Sequence, residues 1–256
     1  MLKSTRNPTS PVFAQSQQSK VVSVTRAVGL VLALGAPAVL AQQQPDGQSI
    51  KLGNADLYPA VRIDYIQNSN AFLSPQEPTD TTAFQIRPEA TWVAQRRLLK
   101  LQASYNGIYQ AASEDVINYT DHILNAGVDA QLDKRRRASA SVSIEFGHQD
   151  LGTGLTRNIT DADAEQVEYV DTDLNAEFGY GARGAKGNAA FGINIENFAF
   201  SNRRDLTQGR DESSVEPYGI FSYRLGADTR AEIELRYRTV DSNQDRNDLS
   251  LLAGLD

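Results

Sequence analysis

The sequence predicts an all-β fold, an antiparallel transmembrane β-barrel of the outer-membrane type with about ten strands present. Three observations carry this prediction. Apolar and polar residues alternate with a period of two along nearly the whole chain after Ser49. The alternating segments run about 9 to 15 residues, against roughly 5 to 6 in soluble strands and about 9 to 11 needed to cross a bilayer at a tilt. Long and short connections also take turns between them, as external loops and periplasmic turns do in such barrels.

The 256 residues open on a segment that reads as an export signal. Lys20 and Arg26 precede the apolar run Ala27 to Ala36, and the small-residue exit Val39-Leu40-Ala41 follows Pro37. This order of basic, apolar and small residues marks a secretory signal peptide over 1–41, with cleavage after Ala41. The apolar run is about half of the roughly 20 residues that a membrane helix needs, so it is too short to span. The long polar stretch ahead of Val21 is compatible with a start codon further downstream. Residues 42–57 then read as a periplasmic N-terminal segment and 58–256 as the barrel. The last strand breaks off without the terminal aromatic usual in bacterial barrels, so the pattern fits either a truncated copy of a larger barrel or a complete ten-stranded one.

The strands follow in order. Val61, Ile63 and Tyr65 alternate with Arg62 and Asp64; Phe84, Ile86, Pro88, Ala90, Trp92 and Ala94 alternate with Gln85, Arg87, Glu89 and Thr91. Leu99 to Tyr109 set their odd positions against Lys100, Gln102, Ser104 and Asn106, and Leu124 to Leu132 oppose Asn125, Asp129 and Gln131. Val142, Ile144 and Phe146 alternate with serines and Glu145, while Leu174, Ala176, Phe178 and Tyr180 oppose Asp173, Asn175 and Glu177. Phe191, Ile193 and Ile195 define a seventh strand, Gly219, Phe221, Tyr223 and Leu225 an eighth, and Ile233, Leu235 and Tyr237 a ninth. A tenth starts near Asp248 with Leu249, Leu251 and Ala253.

The connections fall roughly at 68–81, 95–97, 111–118, 134–137, 150–168, 182–187, 201–214, 226–229 and 241–247, long and short in turn. A first strand rising from the periplasm puts every short connection on the periplasmic side. Phe84 and Trp92 then sit on one face about 19 Å apart along the barrel axis, at roughly 3.3 Å per residue and a 45° tilt, which matches two aromatic girdles. Tyr65, Tyr105, Tyr109 and Phe146 join the outer girdle; Phe178, Tyr180, Phe221 and Tyr223 join the inner one.

Composition narrows the chemistry. The first 41 residues hold four of the 25 basic residues and none of the 32 acidic ones, so the rest is more acidic than the whole-chain net charge of −7. A body of that sign is not a nucleic-acid binder driven by overall charge. Cysteine is absent, which removes disulfides, thiol chemistry and Cys-based zinc sites. His122 and His148, the only histidines, share parity with the apolar faces and so are not placed to serve a lumenal serine as a catalytic base. Gly152-Thr153-Gly154 and Gly179-Tyr180-Gly181 lack the rest of a phosphate-cradling motif. Asp161, Asp163 and Glu165 lack the order and glycine of a calcium loop. Arg96-Arg97, Lys134 to Arg137, and Arg183 with Lys186 lie in separate short turns, where they read as solvated or as touching phospholipid headgroups. No enzyme activity, cofactor or metal site is expected.

The polar parity defines a candidate lumen. It carries Arg62, Arg87, Lys100, Arg224, Arg236 and Arg238, opposed by Asp64, Glu89, Asp129, Glu145, Asp173, Glu177, Glu196, Glu232 and Glu234. Such a mixed-charge wall either holds and passes polar solutes or packs against itself in a plugged barrel.

Several short strings, Ile50-Lys51-Leu52-Gly53, Tyr58-Pro59, Asn68 to Pro75, Arg87-Pro88-Glu89 and Asn118 to His122, resemble the beta-barrel porin 2 family over about residues 50 to 256. That resemblance implies an outer-membrane barrel of a Gram-negative bacterium that works with exported exopolysaccharide or capsule. The expected role is therefore porin-like passage of polar material such as exported polysaccharide, with outer-membrane lipid and cell-envelope export components as partners and no nucleic acid. The alternative is a structural or surface-binding outer-membrane barrel with a plugged lumen.

Overall fold

The structure is a computed structural model that describes residues 20–22, 48–71, 79–150, 165–182, 184–227, 229–242 and 246–255. Most of the segment read as a signal, the Gly152-Thr153-Gly154 string, and Asp161 and Asp163 lie outside the described residues.

Strong two-residue alternation, with few prolines and few uninterrupted apolar runs, gives one antiparallel sheet of twelve strands. These are β1 (Lys20–Val22), β2 (Ile50–Leu52), β3 (Ala55–Asn68), β4 (Thr81–Arg96), β5 (Leu99–Ala112), β6 (Tyr119–Gln131), β7 (Arg136–Gln149), β8 (Val167–Tyr180), β9 (Gly187–Phe200), β10 (Glu212–Arg224), β11 (Arg230–Asp241) and β12 (Arg246–Leu255). From β3 to β12 each strand pairs with the next. The ten long strands expected from the alternation are all present. Among the described residues, helix is limited to a 3-10 turn at Asp115–Ile117 and a single α-turn, α1, at Arg204–Thr207.

The edge of β3 away from β4 is covered in two places. β2 folds back on Ala55 to Leu57 through a tight hairpin, with Gly53 supplying the positive φ of 64° that the hairpin turn requires. β1 pairs with Tyr65 to Gln67, so Lys20–Val22 is held on the sheet although it lies within the segment read as an export signal. Among the described residues β3 and β12 do not pair with each other, and the sheet is not closed.

The loop rhythm differs from expectation at its end. The connection between β11 and β12, residues 242–245, is shorter than the one between β10 and β11, residues 225–229. The cause is a ladder between β11 and β12 that runs out to Val240↔Arg246, using residues assigned to a loop from sequence.

The distribution of side chains is inverted relative to a water-soluble sheet. Val61, Phe191, Leu225 and Leu251 are exposed by 65%, 62%, 60% and 68%, whereas Asp64, Gln85, Ser214 and Ser222 are buried. A soluble protein seldom exposes so extended an apolar surface, and a lipid environment removes the cost. Hydrogen bonds between strands two apart show which way the sheet curves. Gln85 on β4 reaches Tyr119 on β6, Tyr218 on β10 reaches Glu177 on β8, and Arg238 on β11 reaches Glu196 on β9. All three lie on the polar face, which is therefore the concave one.

Candidate lumenal face

Continuous registers without slips fix which side chains share the concave face. Directly opposed residues point the same way, as in Arg62↔Arg87, Lys100↔Asp129, Asp173↔Glu196 and Arg236↔Tyr218. Traced across the nine strands β3 to β11, the ladders place Arg62, Asp64, Arg87, Glu89, Lys100, Asp129, Glu145, Asp173, Glu177, Glu196, Arg224, Glu232, Glu234, Arg236 and Arg238 on that one face.

Their local partners divide them into groups. Asp64 is only 2% exposed and lies between two guanidinium groups, 2.9 Å from Arg62 Nε and 3.5 Å from Arg87 Nε. A carboxylate this deep requires such pairing, because an isolated buried charge is strongly disfavoured. Arg87 also donates to Gln85, and Gln85 donates to Gln110 at 2.6 Å and to the Tyr119 hydroxyl at 2.7 Å. The chain of contacts thus crosses from β3 to β6.

A second network lies on β8 to β11. Arg236 bridges Glu216 at 2.7 Å and Glu234, with its guanidinium 4.9 Å from the centre of the Tyr218 ring. Glu216 also accepts from Asn194, which in turn accepts from Asn175. Arg238 donates to Glu196 at 2.6 Å, and Ser214 donates to the same carboxylate at 3.0 Å. Glu177 accepts from Tyr218 at 3.1 Å and lies 3.7 Å from Arg137, while Glu145 accepts from Tyr169 at 2.7 Å.

Asp171 and Asp173 stand apart from these pairs. Asp171 directly opposes Glu145 and Asp173 directly opposes Glu196, like charge against like, and neither aspartate has an ion pair among the described residues. Both line a recess of about 330 Å³ together with Glu196, Phe198, Arg210 and Glu212.

The two histidines part company. His122 stays on the apolar face, where Nδ1 is 2.9 Å from the Tyr105 hydroxyl and its ring packs against Tyr105 and Tyr109, a girdle-level position. His148 departs from the outward position that its parity assigns. Its ring centre is 3.9 Å from that of Tyr119, Nδ1 is 2.8 Å from Asp121, and Nε2 is 3.1 Å from Asp150. The ladder between β6 and β7 ends at His122↔Phe146, and beyond that last rung the imidazole reaches the concave-face residues of β6. The bond from His148 holds the Asp150 carboxyl below the usual aspartate range.

Asp121, Asp171 and Glu216 belong to the concave face and were absent from the sequence-derived set. Continuing the alternation two or more residues toward each strand start identifies them. Phe198 also points to the concave face, packed on Tyr169 with ring centres 5.1 Å apart, where the alternation rule alone predicts a polar residue.

The two ends of the sheet differ in charge. The short-turn end presents Arg96, Arg97, Lys134, Arg135, Lys186 and Arg230, all exposed. Asp133, in the same turn as Lys134, is occupied by Arg136 at 2.7 Å. The opposite end carries Asp80, Glu114, Asp115, Asp150, Glu165 and Glu168, and its Arg203 and Arg204 are paired with Asp205 and Asp211.

No protein-family profile matches the chain. No curated protein matches it in sequence either. Among solved structures, the chain is similar to the outer membrane channel DcaP of Acinetobacter baumannii, with a TM-score of 0.51 at 9% identity, over 81% of this chain and 81% of that one. At that identity the likeness is one of fold. The architecture is an all-β antiparallel sheet of the outer-membrane barrel type, porin-like in form.

Proposed function

We propose that this chain is an outer-membrane protein of a Gram-negative bacterium that passes polar solutes through a water-filled lumen, with exported polysaccharide as the favoured cargo. The observation that carries this reading is the inversion of the two faces: charges and amides on the concave side, apolar residues exposed on the convex one. A wall of amides, hydroxyls and mostly paired charges offers donors and acceptors to a hydroxyl-rich solute. The fold likeness to a channel supports passage rather than catalysis. The polysaccharide cargo rests on the resemblance of its short sequence strings to the beta-barrel porin 2 family.

The test is conductance of the refolded chain in planar bilayers, together with outer-membrane fractionation. Stepwise ion currents that are reduced by added oligosaccharide support the reading. A folded, membrane-inserted chain without conductance would transfer it to a structural or surface-binding barrel.

A further inference from the structure

We propose that the short-turn end of the sheet is a headgroup belt that selects anionic phospholipids. This rests on the outer-membrane reading above and adds the partner at one rim. Antiparallel pairing in chain order brings the β4–β5, β6–β7, β8–β9 and β10–β11 turns to the same end. Arg96, Arg97, Lys134 and Arg135 are exposed there, and none of their side chains is engaged by a carboxylate among the described residues. Asp133, which lies among them, is occupied by Arg136 and does not neutralise the others.

The position of these cations relative to the apolar band points to lipid. Leu98, Leu132, Tyr180 and Leu225 are exposed by 47%, 53%, 48% and 60% at this same end. Arg97 and Leu98 sit side by side between β4 and β5, and Lys134 follows Leu132 by two residues, so at roughly 3.3 Å per residue the cations lie within about 7 Å of the last lipid-facing side chains, the depth of phosphate groups in a leaflet whose acyl chains meet those residues. Long basic side chains on apolar stems suit that depth. The opposite rim, with its acidic excess, gives no such attraction.

Trp92, the only tryptophan, provides the probe. It shares the lipid-facing parity of β4 and lies four residues from Arg96 at this end. The full chain is reconstituted into vesicles of phosphatidylcholine or phosphatidylglycerol carrying brominated acyl chains, and quenching of Trp92 gives the relative affinity of the two lipids. A phosphatidylglycerol preference of about fivefold at low salt is expected, on the order of one Lys or Arg contact at an anionic surface. It should shrink as ionic strength rises to about 1 M. The variant Arg96→Gln/Arg97→Gln/Lys134→Gln/Arg135→Gln should abolish the preference and the all-Lys variant should keep it, with Arg203→Gln at the other rim as a control without effect. Equal quenching by both lipids in the unaltered chain overturns the proposal, as does a preference insensitive to salt, a measurement that needs no variant to fold. Loss of the preference in millimolar inorganic phosphate assigns the cations to free phosphate and overturns the lipid belt. Quenching by neither lipid refutes membrane insertion itself, and the belt with it.

Discussion

The ring of Tyr218 fills the space that a side chain at Gly192 would need, and its hydroxyl carries on to Glu177 two strands away. The same arrangement recurs at Gly147, where an added Cβ would stand 2.6 Å from the Tyr169 ring, whose hydroxyl reaches Glu145. In both pairs glycine and tyrosine are directly opposed on neighbouring strands. The missing side chain lets the phenol lie along the wall, so that an aromatic group tightens the sheet where strand glycine would weaken it.

Substituting Gly192→Val should therefore destabilise the folded chain by about 1 to 3 kcal/mol through overpacking. Tyr218→Ala in the same background should recover part of the loss. Urea unfolding of the four members of this double-mutant cycle provides the check, and additive effects would show that the ring and the glycine are not coupled.

Face assignment makes a separate prediction. Leu101 and Ile144 share the convex apolar face, so Leu101→Arg or Ile144→Arg should cost about 2 to 4 kcal/mol near the bilayer midplane. Ser104, which accepts a 3.4 Å contact from Asn125 on the concave face, should tolerate arginine with little loss. Equal damage at the two kinds of position, read by refolding yield into vesicles, would reverse the faces.

Ion preference should follow the unpaired carboxylates. Glu234 and Glu216 share Arg236, and Glu196 holds Arg238, so their fields are locally offset. Asp171 and Asp173 have no such partner among the described residues. In a conducting barrel, Asp171→Asn/Asp173→Asn should lower cation preference, measured as reversal potential in a salt gradient, more than Glu234→Gln does. The opposite ranking would move the selective region to β11.

The β6–β7 turn predicts a pH effect. Asp133 accepts from the Arg135 and Arg136 amides at 2.7 and 2.8 Å and from the Arg136 guanidinium, and these bonds hold its carboxyl below the usual aspartate range. Because the folded value is the lower one, the contribution to stability is present above about pH 4 and is lost as pH falls through the depressed value. The protection of the Arg135 and Arg136 amides, their exchange rate taken relative to the intrinsic rate at each pH, should fall on acidification, and Asp133→Asn should remove that dependence. An unchanged acid response in the variant would assign the effect to another group.

Much of the fold was legible in the chain because a strand with one face in lipid and one in water must alternate, and Leu174 to Tyr180 or Ile233 to Tyr237 announce themselves that way. What alternation misses is set by neighbours. Asp171 was hidden because the alternation breaks around it, with the aromatic Tyr169 on its own face and the polar Thr172 on the other, and only pairing with β7 shows that the strand extends back to Val167. The turn of His148 toward Asp121 depends on where the β6–β7 ladder stops. The roles of Gly147 and Gly192 depend on which aromatic the register brings opposite, information carried by two strands together.

The unlike rims have an electrical consequence. In the conducting barrel proposed above, a collar of exposed arginines and lysines at one mouth and a surplus of carboxylates at the other would concentrate chloride at the first entrance and potassium at the second. Reversing the applied voltage then changes which ion is abundant where it enters. An oriented channel of this kind carries unequal currents at equal and opposite voltages, so its current–voltage curve is bent and the sense of the bend reports which mouth faces which compartment.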